Sequence, residues 1–185
     1  PSYVAMVSLV VAILGRVAAG FIPASPAPVP DLKVNWNPLT ETIANLKIAN
    51  RNRAVFLSMI GISWLWFFGS IFLSMFTGFA KEVLSGNEQV VTLLLALFSI
   101  GIGLGSVLCE KMSGHRIEIG LVPFGSIGMT LFAVDLYFAT RGMKSGALIG
   151  AGEFIRQSGN WRVMADLFLL AMFSWFYSVP LYAMM

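Results

Sequence analysis

The chain has 185 residues, of which 57% are hydrophobic and only 11% charged, with a formal net charge of +3. Soluble domains carry about 25% charged residues, so this composition excludes an ordinary water-exposed surface, and the small positive balance gives no reason to expect nucleic acid as a partner. The single cysteine, Cys109, and single histidine, His115, exclude an internal disulfide and a cysteine- or histidine-cluster metal site; no cofactor is expected.

Long apolar runs alternate with short polar stretches. Inside hydrocarbon every backbone donor and acceptor needs an internal partner, so the runs are expected to be helices. The expected fold class is all-α: a polytopic membrane helix bundle of about five transmembrane helices. The chain starts at Pro1 and ends at Met185 within an apolar run, and both ends read as cuts in a longer protein.

The first expected span is residues 1–22, close to the ~20 apolar residues that a crossing requires. Its only charge, Arg16, follows the apolar stretch, which argues against a signal peptide and suits an anchor snorkelling to the interface. Residues 23–53 are polar. Pro23, Pro26, Pro28 and Pro30 favour an extended linker. Asn37-Pro38 then reads as an N-cap followed by proline at the first helical position. Leu39, Ile43 and Leu46 recur at helical spacing, which predicts a short amphipathic helix on the membrane surface with Trp36 at headgroup depth.

Residues 54–80 form the second expected span, free of charge and rich in aromatics. Ser63, Trp64 and Trp66 lie mid-span and are candidates for a substrate cavity, against the alternative of aromatics facing lipid. The third span, residues 90–109, carries Gly101, Gly103 and Gly105. No strand precedes them, so they are not a nucleotide loop; a small-residue packing face or a flexible point fits a membrane helix. A charged island at 110–118 leads to the fourth span, residues 119–139. Asp135 near its far end is an intramembrane or interfacial acid, expected to pair with Arg141. A glycine-rich loop, part of it apolar enough to dip into the interface, precedes the fifth span, residues 164–185. There Tyr177, Ser178 and Tyr182 are further cavity candidates, and Pro180 is expected to interrupt the helical ladder.

Alternating topology places residues 23–53 and 110–118 on one side. The Arg51/Arg53 pair at a helix start and the short charged loops assign that side to the cytoplasm.

The pattern Ser106-x-x-x-Glu110-Lys111-x-x-Gly114-His115-Arg116 resembles the cytoplasmic loop motif of the major facilitator superfamily, with Glu for the usual Asp and one additional residue before Gly114. RNRAVFLSMIGISWLWFFGSIFLSMF, EQVVTLLLALFSIGIGLGSVLCEKMSG, EIGLVPFGSIGMTLFAVDLYFA and FYSVPLYAMM look like the lysophospholipid transporter branch of that superfamily. The resemblance implies a partial major facilitator fold, around helices six to ten of twelve. It also implies translocation of a lysophosphatidylethanolamine-like lipid across the bacterial inner membrane by alternating access. The implied partners are membrane lipids, the lysophospholipid and the remaining helices of the transporter.

Independently of any family, an acid at the end of a helix faces an unfavourable dipole. Lys111, His115 and Arg116 offset it, making a charge latch that can hold one conformation of a rocking bundle; a solvated turn is the alternative. Some members of the branch are fused to an acyltransferase and an acyl-carrier-protein synthetase. Acyltransferases of that type use His-x-x-x-x-Asp, but five residues after His115 stands Gly120, so no catalytic residue is expected in this segment. Transport of another small solute is the competing reading. With no acid recognised as a proton relay, facilitated movement is expected over tight proton coupling.

Overall fold

The computed structural model describes residues 2–21, 36–114, 116, 118–143 and 146–185. The expected proline-rich linker, His115 and Lys144 lie outside the described residues. The chain divides into two compact units, Pro1–Glu41 and Thr42–Met185.

The first unit contains α1, Ser2–Ala19. Among the described residues its apolar part, Ala5–Ala19, falls short of the length counted as a membrane crossing. Four described helices are long and apolar enough to cross a membrane, against the five expected. The amphipathic helix forms as α2, Pro38–Ala49. The Asn37 side-chain oxygen accepts hydrogen bonds from the backbone N–H groups of Leu39, at 3.1 Å, and Thr40, at 3.4 Å. This is the cap its sequence implies. Leu39, Ile43, Leu46 and Trp36 are all exposed.

The second unit is built from α3 (Arg53–Gly78), α4 (Glu88–Ser113), α5 (Leu121–Thr140), the short α6 (Ala151–Arg156) and α7 (Gly159–Ala183). Asn52 caps α3 by accepting from the Ala54 N–H, and Asn87 caps α4 by accepting from Gln89 and Val90. A π-helical turn, Phe79–Val83, carries α3 into a tight connection. The glycine-rich loop is tied to the α3–α4 connection. Ile149 exchanges backbone hydrogen bonds with Ser85 (2.8 Å) and Asn87 (3.0 Å), and Phe154 of α6 is fully buried. Phe154 joins Phe76, Leu94, Leu136 and Leu167 in an apolar cluster that closes this end of the bundle.

Two helix boundaries differ from expectation. Helix α4 continues past Cys109 to Ser113, because Glu, Lys and Met are good helix formers and the first residue able to end it cheaply is Gly114. Gly114 takes the left-handed conformation (φ 55°, ψ 38°) and its N–H reaches the Lys111 carbonyl. Helix α7 starts at Gly159 rather than 164, and it stays helical through Pro180 to Ala183. Pro180 has no N–H, so the ladder lacks the bond to the Phe176 carbonyl as expected, yet the helix continues past this buried residue to Ala183.

Helix α7 is the centre, packed against α5 and α4 and more lightly against α3. Glycines set these contacts. An added methyl group on Gly105 would stand 2.5 Å from the Met172 carbonyl oxygen, and one on Gly125 would stand 2.5 Å from the Tyr177 nitrogen. Gly101 and Gly128 likewise abut Phe168 and Phe173. Gly103 has nothing within 4 Å, so only the two outer members of the Gly101/103/105 series belong to the packing face. Four residues apart, they sit one turn above another.

Gly105→Ala is expected to weaken the α4–α7 contact by about 1–3 kcal/mol, the usual cost of overpacking. Thermal unfolding in detergent should show a lower midpoint. Gly103→Ala, with open space around it, should leave the midpoint unchanged or raise it.

Candidate functional site

Because α3 meets α7 only along part of its length, the two helices leave a cleft between them that α4 closes from behind. Its volume is about 380 Å³. Phe72, Phe76, Leu95, Phe98, Ile102 and Leu170 form apolar walls, while Trp66, Ser178 and Tyr182 stand among the remaining lining residues. The stacked pair Phe72–Phe98, with ring centres 5.6 Å apart, ties α3 to α4 along the floor.

The polar groups of the cleft are few. The Trp66 indole N–H donates to the Tyr182 hydroxyl oxygen at 2.7 Å. The Ser174 and Ser70 hydroxyls donate back to the carbonyls of Ala171 and Phe67 in their own helices. Ser178 is different. It is 2% exposed, and its Oγ makes no hydrogen bond among the described residues. A buried hydroxyl without a partner costs free energy, and Ser178 is one of the residues that border the cleft.

The residues expected to line a cavity therefore fall into separate places. Trp66, Ser178 and Tyr182 meet in the cleft. Trp64 and Tyr177 meet elsewhere, ring to ring at 6.3 Å, where Trp64 also stacks on Phe68 at 5.8 Å. Trp64 lines a second, apolar depression between α3 and α5, bordered by Met129, Thr130 and Phe138. The division follows from helix geometry: residues two apart on α3, or adjacent on α7, point about 200° or 100° apart. Ser63 is exposed and lines neither hollow.

The motif residues sit at the opposite end of α4 from its Asn87 cap. Ser106 is half-buried on the helix, and exposed Glu110 and Lys111 occupy its last turn. Gly114 is the stop, and Arg116 is exposed beyond it. The segment expected to be a loop is thus half helix, and the acid stands in the final helical turn, where the carbonyl ends of the dipole are.

Asp135 does not pair with Arg141. Its carboxylate accepts from Arg162 of α7, from Nε at 3.0 Å and from Nη2 as well. Six residues along α5, Arg141 lies roughly 240° around the helix and takes the C-cap position, whereas α7 crosses on the Asp135 side. Beside this pair lies Asp166, which the sequence reading does not single out. It is 3% exposed, and its Oδ2 has no hydrogen-bond partner among the described residues. The signal was an acid inside an apolar run. With the span begun at 164, Asp166 falls at its edge; with α7 begun at Gly159, it lies about 10 Å along the helix.

Comparison with known proteins returns no match: no family model, no curated protein and no solved structure aligns with the chain.

Tyr182→Phe is expected to strand the Trp66 indole N–H. The loss should be about 1 kcal/mol of stability, read as a lower unfolding midpoint together with a changed tryptophan emission. An unchanged emission would show that the hydrogen bond does not form in the bilayer.

Proposed function

We propose that this chain is part of a transporter that moves a lysophospholipid, of the lysophosphatidylethanolamine type, across the bacterial inner membrane by alternating access. The observation that carries the reading is the cleft between α3, α4 and α7, in which aromatic and aliphatic walls surround one unpartnered hydroxyl beside a Trp66–Tyr182 pair. A single-chain lipid has one hydrocarbon tail and a glycerol backbone with hydroxyl and ester oxygens. The tail suits the walls built by Phe72, Phe98 and Leu170. The oxygens suit Ser178 and Tyr182. The open face of the Trp66 ring offers a surface on which an ammonium headgroup gains a cation–π contact.

The cleft is in the size range of small-molecule sites, about 300–1,000 Å³. Its short list of polar groups suits an amphiphile better than a sugar or a peptide, whose many donors and acceptors would go unmatched in so apolar a hollow. The sequence resemblance to lysophospholipid transporters of the major facilitator superfamily supports the same reading. In it, the Glu110–Lys111 end of α4 belongs to the cytoplasmic gate.

Ser178→Ala separates binding from stability. It removes an unsatisfied buried hydroxyl, so the unfolding midpoint should hold or rise. Lysolipid binding in nanodiscs should weaken roughly 2- to 10-fold, the value of one hydrogen bond of about 0.5–1.5 kcal/mol. Unchanged lysolipid affinity would remove the cleft from consideration. Glu110→Lys should lower lysolipid flipping in liposomes while membrane insertion stays normal. Uptake of small polar solutes in place of lysolipid by the same liposomes would overturn the substrate assignment.

A further inference from the structure

About 18 Å along α7 from Ser178, near the helix's other end, α5 and α7 hold a group of charges that lysolipid binding leaves unused. Asp135 of α5 is held by Arg162 of α7 through two guanidinium nitrogens. One turn on from Arg162, Asp166 points to the same contact. Its carboxyl faces that of Asp135, it is 3% exposed, and its Oδ2 finds no donor.

The charges do not balance. Two carboxylates face one guanidinium, which leaves one negative charge over if both acids are ionised. Among the described residues no further cation is placed to neutralise it. Helix α4 has no charged residue between Glu88 and Glu110, and α3 has none between Arg53 and Gly78. Lys81 is engaged by Glu88 at 2.8 Å. The charged residues of α6, Glu153 and Arg156, are exposed, as is Arg141. Trp161, five residues before Asp166, is exposed, and its indole N–H donates to the Ile155 carbonyl at the helix start. A tryptophan there suits the membrane interface, and Asp166, five residues further along the helix, is buried in the α5–α7 contact. A carboxylate in that position with an oxygen lacking any donor is strongly disfavoured. A neutral acid is not: its carbonyl oxygen tolerates the missing donor far better, and its O–H has an acceptor in Asp135.

We propose that Asp166 is a proton-binding site, its carboxylic acid O–H donating to the Asp135 carboxylate that Arg162 holds from the other side. Binding forms one O–H bond with a proton taken from water and brings the cluster from a net charge of −1 to zero. Release returns the proton to water and leaves two like charges facing each other across the α5–α7 contact. The site is a property of this bundle and stands whether or not the cleft carries lysolipid.

Infrared spectroscopy of the full chain in lipid nanodiscs tests it. In mildly acidic buffer the wild type should show the C=O stretch of a protonated carboxyl, shifting on transfer to deuterium oxide. Asp166→Asn, isosteric and neutral, should abolish that band while circular dichroism shows the helices intact. Asp135→Asn should abolish it too, because Arg162 is then free to pair with Asp166 and the proton leaves. This second variant carries the test if the first fails to insert. Absence of the band in the wild type, or its persistence in the inserted variants, overturns the proposal.

Discussion

The contact on which the second unit depends is the seating of α7 directly against the backbones of α4 and α5. In a bilayer, lipid tails are as apolar as leucine, so burying an aliphatic side chain between helices yields little. What remains is close van der Waals packing, and this needs surfaces without side chains. Gly101 and Gly105 provide one on α4; Gly125 and Gly128 provide the other on α5. Each lets α7 approach until its own carbonyls, amides and Phe173 fill the space where a methyl group would stand. Helix α7 is consequently the most buried of the four long apolar helices, and α3 the least.

Both features of chemical interest follow from that arrangement. A helix clasped on two sides has its remaining faces set for it. The face turned to α3 carries Ser178 and Tyr182, and since α3 lies against α7 only loosely, a cleft opens there rather than a seam. The face turned to the far end of α5 carries Arg162 and Asp166. A tight α5–α7 contact holds these two against Asp135, leaving the Asp135–Arg162 pair partly exposed and Asp166 buried. The cost of burying that further acid is offset by the same glycine contacts. Nothing in the packing requires polar residues at those positions. This is the usual mark of groups kept for function.

The expected function rests on chemistry more than on shape. An amphiphile needs a wall for its tail and a few fixed polar groups for its oxygens, and the cleft offers that combination in small measure. A hydrophilic solute would require a denser array of donors and acceptors than Trp66, Ser178 and Tyr182 provide. The α4 terminus, with Glu110 and Lys111 in its last turn and Gly114 as its stop, is a separate polar feature at the end of the bundle where Ser178 and Tyr182 lie, because α4 and α7 run parallel, with Gly101 against Phe168 and Gly105 against Met172. The Asp135–Arg162–Asp166 group lies toward the other end, where α4 starts at its Asn87 cap.

Much of the fold was legible in the sequence, because the bilayer leaves few choices. Runs such as 54–80 and 90–109 have to be helices, Asn37-Pro38 has to cap one, and charges at 110–118 have to mark a surface. Those conclusions follow from hydrogen-bond satisfaction and solvation, which act locally and read directly from residue types. The limits of the helices were less legible: α4 runs on to its Gly114 cap where hydropathy alone suggested Cys109, because a helix continues until capping, not until polarity, ends it, and α7 begins at Gly159 where hydropathy suggested Met164. Partnership was not legible at all. That Trp66 meets Tyr182 while Trp64 meets Tyr177, that Asp135 answers to Arg162 across the bundle rather than to Arg141 in its own chain neighbourhood, and that Asp166 is buried, are consequences of which face of α7 meets which helix. That is decided by the glycine seats, which act between segments far apart in the chain.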